Sequence, residues 1–300
     1  MGETFYSNGK LLLTGEYVVL DGAMALAIPT KYGQSLEIIF SEKEGIHWKS
    51  FDEKGILWFE EIFDLKNLKA SNPKNKFSKT LSKILQHAKN LNSDFLSDGE
   101  GFQINTKLDF PRDWGLGTSS TLINNIAQWA NVNAFQLLKN SFGGSGYDIA
   151  AAQNDSPILY ELTDGIPKFR KVHLSWDFTD SLFFVHLNKK QDSKEGIERY
   201  RNTSVDKKLL QRISDISNKL LICYSLPDFE KLIDAHEQII SEIISLPTIK
   251  ERLFSDYSGT IKSLGAWGGD FVLVTGNTTR MDYFRNKGFE TIIPFKEMLL

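Results

Sequence analysis

The chain has 300 residues, 41% hydrophobic and 24% charged, with a formal net charge of −3. That is the composition of a globular protein with room for one large domain or two medium ones. The acidic balance excludes a general attraction to nucleic acid or anionic membrane. Cys223 is the only cysteine, which excludes an internal disulfide and a cysteine-rich zinc site.

Residues 10–20, KLLLTGEYVVL, read as a strand closed by a turn at Asp21-Gly22. AMALAIP (23–29) and SLEIIF (35–40) read as two further strands, and residues 55–63 as another. KNLKASNPKNK (66–76) is polar and lysine-rich, a surface loop. Phe77, Leu81, Ile84, Leu85 and Ala88 then recur at helical spacing. A strand at 101–110 leads into a glycine turn and a helix over roughly 119–138. SFGGSGYDIAAAQ (141–153) is a second glycine turn entering a short helix. Strands follow at 156–162 and 181–187, and helices at 193–201, 206–222 and 228–245. A third glycine turn, LGAWGGDFVLVTG (264–276), runs into a strand. This mixed order predicts an α+β protein with antiparallel sheets, without the regular alternation of a doubly wound fold. A domain boundary falls near residue 155, giving 1–155 and 156–300.

No apolar run reaches membrane-spanning length, and MGETFYSNGK lacks the apolar centre of a signal peptide. The expected setting is cytoplasmic, with no membrane or nucleic-acid partner. His47, His87, His173, His186 and His236 do not cluster in sequence and read as structural or surface residues.

DWGLGTSSTLINNIAQWA (113–130) poses the main question. Gly115, Leu116, Gly117, Thr118, Ser119 and Ser120 stand at the mouth of a helix. Serine and threonine cap helices, and glycines make the preceding turn. The same pattern suits a phosphate, because a helix N-terminus offers N–H groups and a positive dipole end. It is not a Walker A loop, since no G-K-[ST] follows, and it lacks the third glycine of a dinucleotide fingerprint. Three separate glycine turns are more than ordinary loops require, and a nucleoside triphosphate needs several N–H donors and a metal ligand.

NGKLLLTGEYVVLDG, GLGTSST and SLGAWGGDF resemble the three motifs of the GHMP kinases. That family takes its name from galactokinase and from homoserine, mevalonate and phosphomevalonate kinases. Pro111 and Lys262 stand at the family positions ahead of the second and third motifs, and GGSGYDIA resembles the segment with the family's catalytic aspartate. The motifs lie in family order across residues 8–276. The resemblance implies a two-domain GHMP kinase fold, with an N-terminal ATP-binding α+β domain and a C-terminal ferredoxin-like α+β domain. It implies ATP and Mg²⁺ as cofactors and a small-molecule acceptor, a hydroxy acid or its phosphate, in a monomer or homodimer.

By the same resemblance Asp148 is the catalytic carboxylate and Lys10 the lysine beside it. Gly115, Leu116, Gly117, Thr118, Ser119 and Ser120 hold the phosphates, with Ser119 approaching Mg²⁺. Glu16 positions the substrate site, and Gly265, Gly268 and Gly269 let the third loop pass close to it. Lys189, Lys190, Gln191 and Ser193 match the substrate loop of isoprenoid-pathway members; a solvated turn before a helix explains them equally well. Trp267 replaces a family glycine. Leu137 stands where mevalonate kinases carry a Mg²⁺-binding glutamate, and no acid occurs between 119 and 147. The adenine pocket of family members is built near the region of Trp48 and Trp58, although core packing serves either residue as well. GEY and GGD point to phosphomevalonate kinases, and the compact length points to mevalonate kinases. The expected activity is transfer of the γ-phosphoryl group to mevalonate or phosphomevalonate. Mevalonate-diphosphate decarboxylase, another GHMP kinase and a non-catalytic regulatory relative are the alternatives.

Overall fold

The computed structural model describes residues 2–97, 99, 101–191 and 193–300, with the side chains of Ser193 and Lys194 outside the description. In chain order the elements are strands β1 (Glu3–Leu12), β2 (Ala25–Ser41), β3 (Ile46–Phe51) and β4 (Leu57–Phe63), helix α1 (Lys76–Leu91), and strand β5 (Gly101–Leu108). Helices α2 (Thr118–Trp129), α3 (Ala134–Ser141) and α4 (Tyr147–Ala152) follow, then strands β6 (Ile158–Thr163), β7 (Ile166–Lys171) and β8 (Leu182–His186). Four helices come next: α5 (Ser193–Arg201), α6 (Lys207–Leu221), α7 (Leu226–Ile244) and α8 (Ile249–Leu253). The chain closes with β9 (Ile261–Ser263), β10 (Phe271–Thr275), α9 (Asp282–Asn286), β11 (Ile292–Pro294) and α10 (Phe295–Met298).

The residues group into two compact units. The first comprises residues 1–9, 32–112 and 116–153; the second comprises 10–31, 113–115 and 154–300. The chain therefore passes between them several times, and the glycine turn at 113–117 is itself divided.

In the first unit the strand order is β4-β3-β5-β2. β3 pairs β4 antiparallel and β5 parallel, and β5 pairs the second half of β2 antiparallel from Gln34↔Leu108 to Ser41↔Gly101. Alternation along β3 and β5 puts Ile46, Trp48, Phe102 and Ile104 on one face. Leu81, Ile84, Leu85 and Ala88 of α1 and Ile123, Ile126 and Ala127 of α2 pack into the same core. The apolar positions of α1 fall at three- and four-residue spacing, which makes one buried stripe. Asn75 caps that helix by accepting the N–H of Phe77.

Two local departures from the sequence reading have clear causes. The helix expected over 119–138 is two helices. Asn131 takes a left-handed φ of 51° and breaks the first, and the Asn133 side chain accepts the N–H groups of Phe135 and Gln136 and starts the second. The strand expected over 10–20 ends at Leu12, and residues 25–29 and 35–40 lie on one continuous strand of 17 residues, with 23–24 before it. After Leu12 the chain turns sharply. Tyr17 has φ 63° and ψ −50°, and the Val18 N–H donates to the Glu16 carbonyl at 2.7 Å. This is a γ-turn of the rare, strained hand. A single 3-10 turn, Val18–Asp21, follows and closes on Gly22.

In the second unit Ala25–Ala27 of β2 pairs β6, and β6 pairs β7. A separate four-stranded sheet has the order β11-β8-β10-β9, with each neighbouring pair antiparallel. Val185, Val272 and Val274 of this sheet pack with Phe254, Tyr257, Met281 and Phe284. Helix α7 begins at the Ser225 cap with Pro227 in its first turn, where the missing N–H costs nothing. Both sheets and the interspersed helices give the α+β class that the sequence order predicts. Among the described residues no helix is long and apolar enough to cross a membrane.

Candidate active site

The hydroxyl run at the mouth of α2 is sorted by the structure. The N-cap is Gly117, in the left-handed region at φ 96°, and no side chain caps the first N–H groups. Ser120 is buried and donates back to the Gly117 carbonyl at 2.9 Å. Thr121 is buried and donates to Gln34 Oε1 at 2.7 Å. Thr118 is half-buried and Ser119 exposed, and no described hydrogen bond engages either hydroxyl. Neither hydroxyl caps the helix. A twelve-residue helix thus opens on a glycine, with its first N–H groups uncapped by any side chain and with two uncommitted hydroxyls. That donor set fits phosphate oxygens. Leu116 lies fully buried, so its side chain belongs to the interior and only its backbone can face a ligand.

Asp148 lies in the first turn of α4, half-buried, where the helix dipole favours its charge. The turn ahead of it needs glycine: Gly143, Gly144 and Gly146 all have positive φ.

A second cluster is assembled within the other unit. The Lys10 ammonium, near the end of β1, donates to the Gly115 carbonyl at 3.0 Å. Gly115 has φ 69°, and a Cβ there would overlap the Asp270 carboxyl. Asp270 sits at the end of the third glycine turn. Its N–H donates to the Lys189 carbonyl at 2.7 Å, its carbonyl accepts the Leu187 N–H at 2.8 Å, and its Oδ1 accepts the Gln191 N–H at 3.3 Å. Burial pushes the Asp270 carboxyl up, while Lys10, Lys190 and His186 oppose that shift. The residues near 187–191 and the 265–270 turn therefore do come together. A Cβ on Gly269 would stand 2.9 Å from the Gln191 Cβ, so this contact depends on glycine. Gly268, at φ 114°, faces Gln191 Oε1, and Gly265 has open space around it. Lys189 and Lys190 are exposed. The side chain of Ser193 lies outside the described residues.

Glu16 sits deeper than the sequence suggests. It is 1% exposed and ion-paired to Lys262, which is itself fully buried and also holds Glu237 at 3.0 Å. Ser263 donates to the second oxygen of Glu237. His236 Nε2 accepts the Gly15 N–H at 3.0 Å, which fixes the neutral tautomer with its proton on Nδ1. Burial holds the His236 pKa well below 6.5, with the Lys262 charge adding to the effect. Its 3.4 Å approach to Glu16 is therefore no ion pair. One ammonium cannot offset two buried carboxylates, and burial pushes Glu16 up to about 7 against the pull of Lys262. The network locks the strained Tyr17 turn onto α7 and β9. The motifs single out Glu16 and Lys262 but not their pairing, because Glu237 and His236 look like ordinary helix residues.

Trp48 is a core residue whose indole N–H donates to Ser50. Trp58 carries the Arg112 guanidinium over its ring at 3.7 Å, and its own N–H has no partner. Among the described residues no group of three or more His, Cys, Asp or Glu side chains is arranged to hold a metal ion. A hydroxyl such as Ser119, with phosphate oxygens and water, suits Mg²⁺, which commonly keeps several waters.

No family profile and no curated protein sequence matches the chain. Solved structures do match over nearly the whole length. The mevalonate kinase of Methanococcus jannaschii aligns with a TM-score of 0.72 at 19% identity, covering 98% of this chain and 97% of that one. Phosphomevalonate kinase of Streptococcus pneumoniae, in complex with phosphomevalonate and AMPPNP, aligns with a TM-score of 0.68 at 18% identity, covering 95% of each. Galactokinase of Lactococcus lactis, complexed with galactose, aligns at 0.66 and 15% identity, covering 95% and 88%. The chain has the fold of the GHMP kinases.

Proposed function

We propose that the protein is an ATP-dependent kinase that transfers the γ-phosphoryl group to a small hydroxy acid or its phosphate, with mevalonate and phosphomevalonate as the leading acceptors. The observation that carries this reading is the mouth of α2. A glycine N-cap with no side-chain cap, followed by two unengaged hydroxyls, leaves a set of donors that a polyphosphate can use. The fold adds to it, since one structure of that fold was solved with a phosphorylated hydroxy acid and an ATP analogue.

In this reading the N–H groups at 117–120 and the Ser119 hydroxyl hold the β- and γ-phosphates. Mg²⁺ bound with the nucleotide would neutralise charge on the phosphate oxygens, and Ser119 is the residue to approach it. Asp148 orients the acceptor hydroxyl and receives its proton as the new P–O bond forms. A loose transition state asks for orientation more than base strength, so a carboxylate suffices. Lys10 supplies positive charge for the transferring group and is itself steered by the Gly115 carbonyl. The exposed Lys189 and Lys190 offer charge for an acceptor carboxylate or phosphate.

The test is a coupled assay of ADP release from Mg-ATP with mevalonate or phosphomevalonate, run on the wild type and on Ser119→Ala. Turnover should fall by about tenfold or more in the variant, with thermal melting unchanged, because no described hydrogen bond to that hydroxyl supports the fold. Normal turnover with a lowered melting temperature would reverse the assignment.

A further inference from the structure

We infer that Asp270 is a positioning residue for the phosphoryl-transfer site, holding the 189–191 loop and the Gly115 turn that receives Lys10 in one fixed arrangement. The inference rests on the kinase reading above and adds to it a residue that the motif gave no role.

The geometry is specific. Asp270 is a non-glycine residue held at φ 54°, a left-handed conformation that aspartate tolerates at some cost. Its backbone is engaged on both sides, by the Lys189 carbonyl and the Leu187 N–H, so the loop register is set by this one residue. Its side chain then reaches two further places. Oδ1 accepts the Gln191 N–H, and the carboxyl rests against the Cα of Gly115. The carbonyl of that same glycine receives the Lys10 ammonium. Gly115 is thus gripped from two directions, by Lys10 at its carbonyl and by Asp270 at its Cα.

This changes the meaning of Gly115. In a phosphate-binding turn a glycine is expected to make room for phosphate. Here the space a Cβ would fill is taken by a carboxylate of the same protein. The Lys10 and Lys190 charges pull the Asp270 carboxyl toward its charged form, and burial outweighs them. Asp270 therefore acts through its neighbours: it orders the lysines and the turn and does not touch the reacting atoms.

Three variants test this. Asp270→Asn keeps the shape and the acceptor for the Gln191 N–H and loses the charge that steers Lys10. It should melt like the wild type and keep the KM for ATP, while kcat falls by about tenfold to a hundredfold, the usual effect of a small misplacement. Asp270→Ala should additionally raise the acceptor KM, because the 189–191 loop loses its anchor. Gly115→Ala should lower the melting temperature, and by less in the Asp270→Ala background, because the overlap with the carboxyl is then gone. An Asp270→Asn enzyme with undiminished kcat beside an active wild type would overturn this proposal alone. Equal melting losses from Gly115→Ala in both backgrounds would also overturn it. A wild type that transfers phosphate to no acceptor overturns the kinase reading and this role together.

Discussion

Replacing Lys262 with methionine should be among the most damaging single changes in the second unit, and its cost should depend on pH in a defined direction. Lys262 is fully buried and pairs with Glu16 and Glu237, both nearly as buried. Methionine matches the length of the stem and removes the ammonium. Two carboxylates then remain in the interior without their cation, and breaking a buried pair in this way costs roughly 3–5 kcal/mol. At the usual sensitivity of a domain of this size, the melting temperature should drop by roughly 6–20 °C. The carboxyls can escape the penalty only by binding protons. Without Lys262, which pulls both pKa values down, they are raised further above the ordinary 4.5. Below that value the folded and unfolded states are both protonated and the variant recovers much of its stability. As pH rises, the unfolded state releases its protons first and the deficit grows. The assay is urea unfolding of wild type and Lys262→Met at about pH 5 and about pH 8, with the triple variant Lys262→Met/Glu16→Gln/Glu237→Gln as companion, whose deficit should be smaller and nearly flat with pH. A Lys262→Met deficit below about 1 kcal/mol, or one that shrinks at the higher pH, would refute the reasoning.

Glu16→Gln should flatten part of the pH dependence of the wild type. With its pKa raised to about 7, the Glu16 contribution is fully present below 4.5 and is lost as pH rises through 7, and melting temperatures across this range will show whether that slope disappears. His236 works in the other sense: held neutral, it costs stability as pH falls below 6.5, and that limb should survive in the Glu16→Gln protein. Ser120→Ala should lower stability by about 1 kcal/mol, because it removes a partly buried bond to the Gly117 carbonyl; chemical denaturation measures it, and no change would contradict the geometry. Leu116→Ala should cost about 2–5 kcal/mol, since the side chain is fully buried, and a neutral result would place that leucine on the surface instead.

Where the sequence was informative, local physics had written the signal. The stripes of α1, α6 and α7 could be read at helical spacing, and the three glycine turns stood out by composition. What stayed hidden depended on partners distant in sequence. Nothing local says that Ser120 turns back to a carbonyl while Ser119 faces out, because both are serines in the same helical turn. Asp270 could be read only as one letter of a motif, since its meaning comes from Gly115 and Gln191, 155 and 79 residues away. The strand expected at 10–20 fails at a turn whose central residue is a tyrosine, a residue that no turn rule would place at positive φ. The split of the helix at Asn131 was the more available signal: two asparagines, one broken backbone and one cap, sit within three residues.

Transfer of labelled γ-phosphate from Mg-ATP by the purified protein tests phosphoryl transfer itself. Mevalonate, phosphomevalonate, mevalonate diphosphate, galactose and homoserine would be offered in parallel, with Asp148→Asn as the control. Label is expected on mevalonate or phosphomevalonate, and is lost in the variant. Label on no acceptor, or equal label with Asp148→Asn, would contradict it.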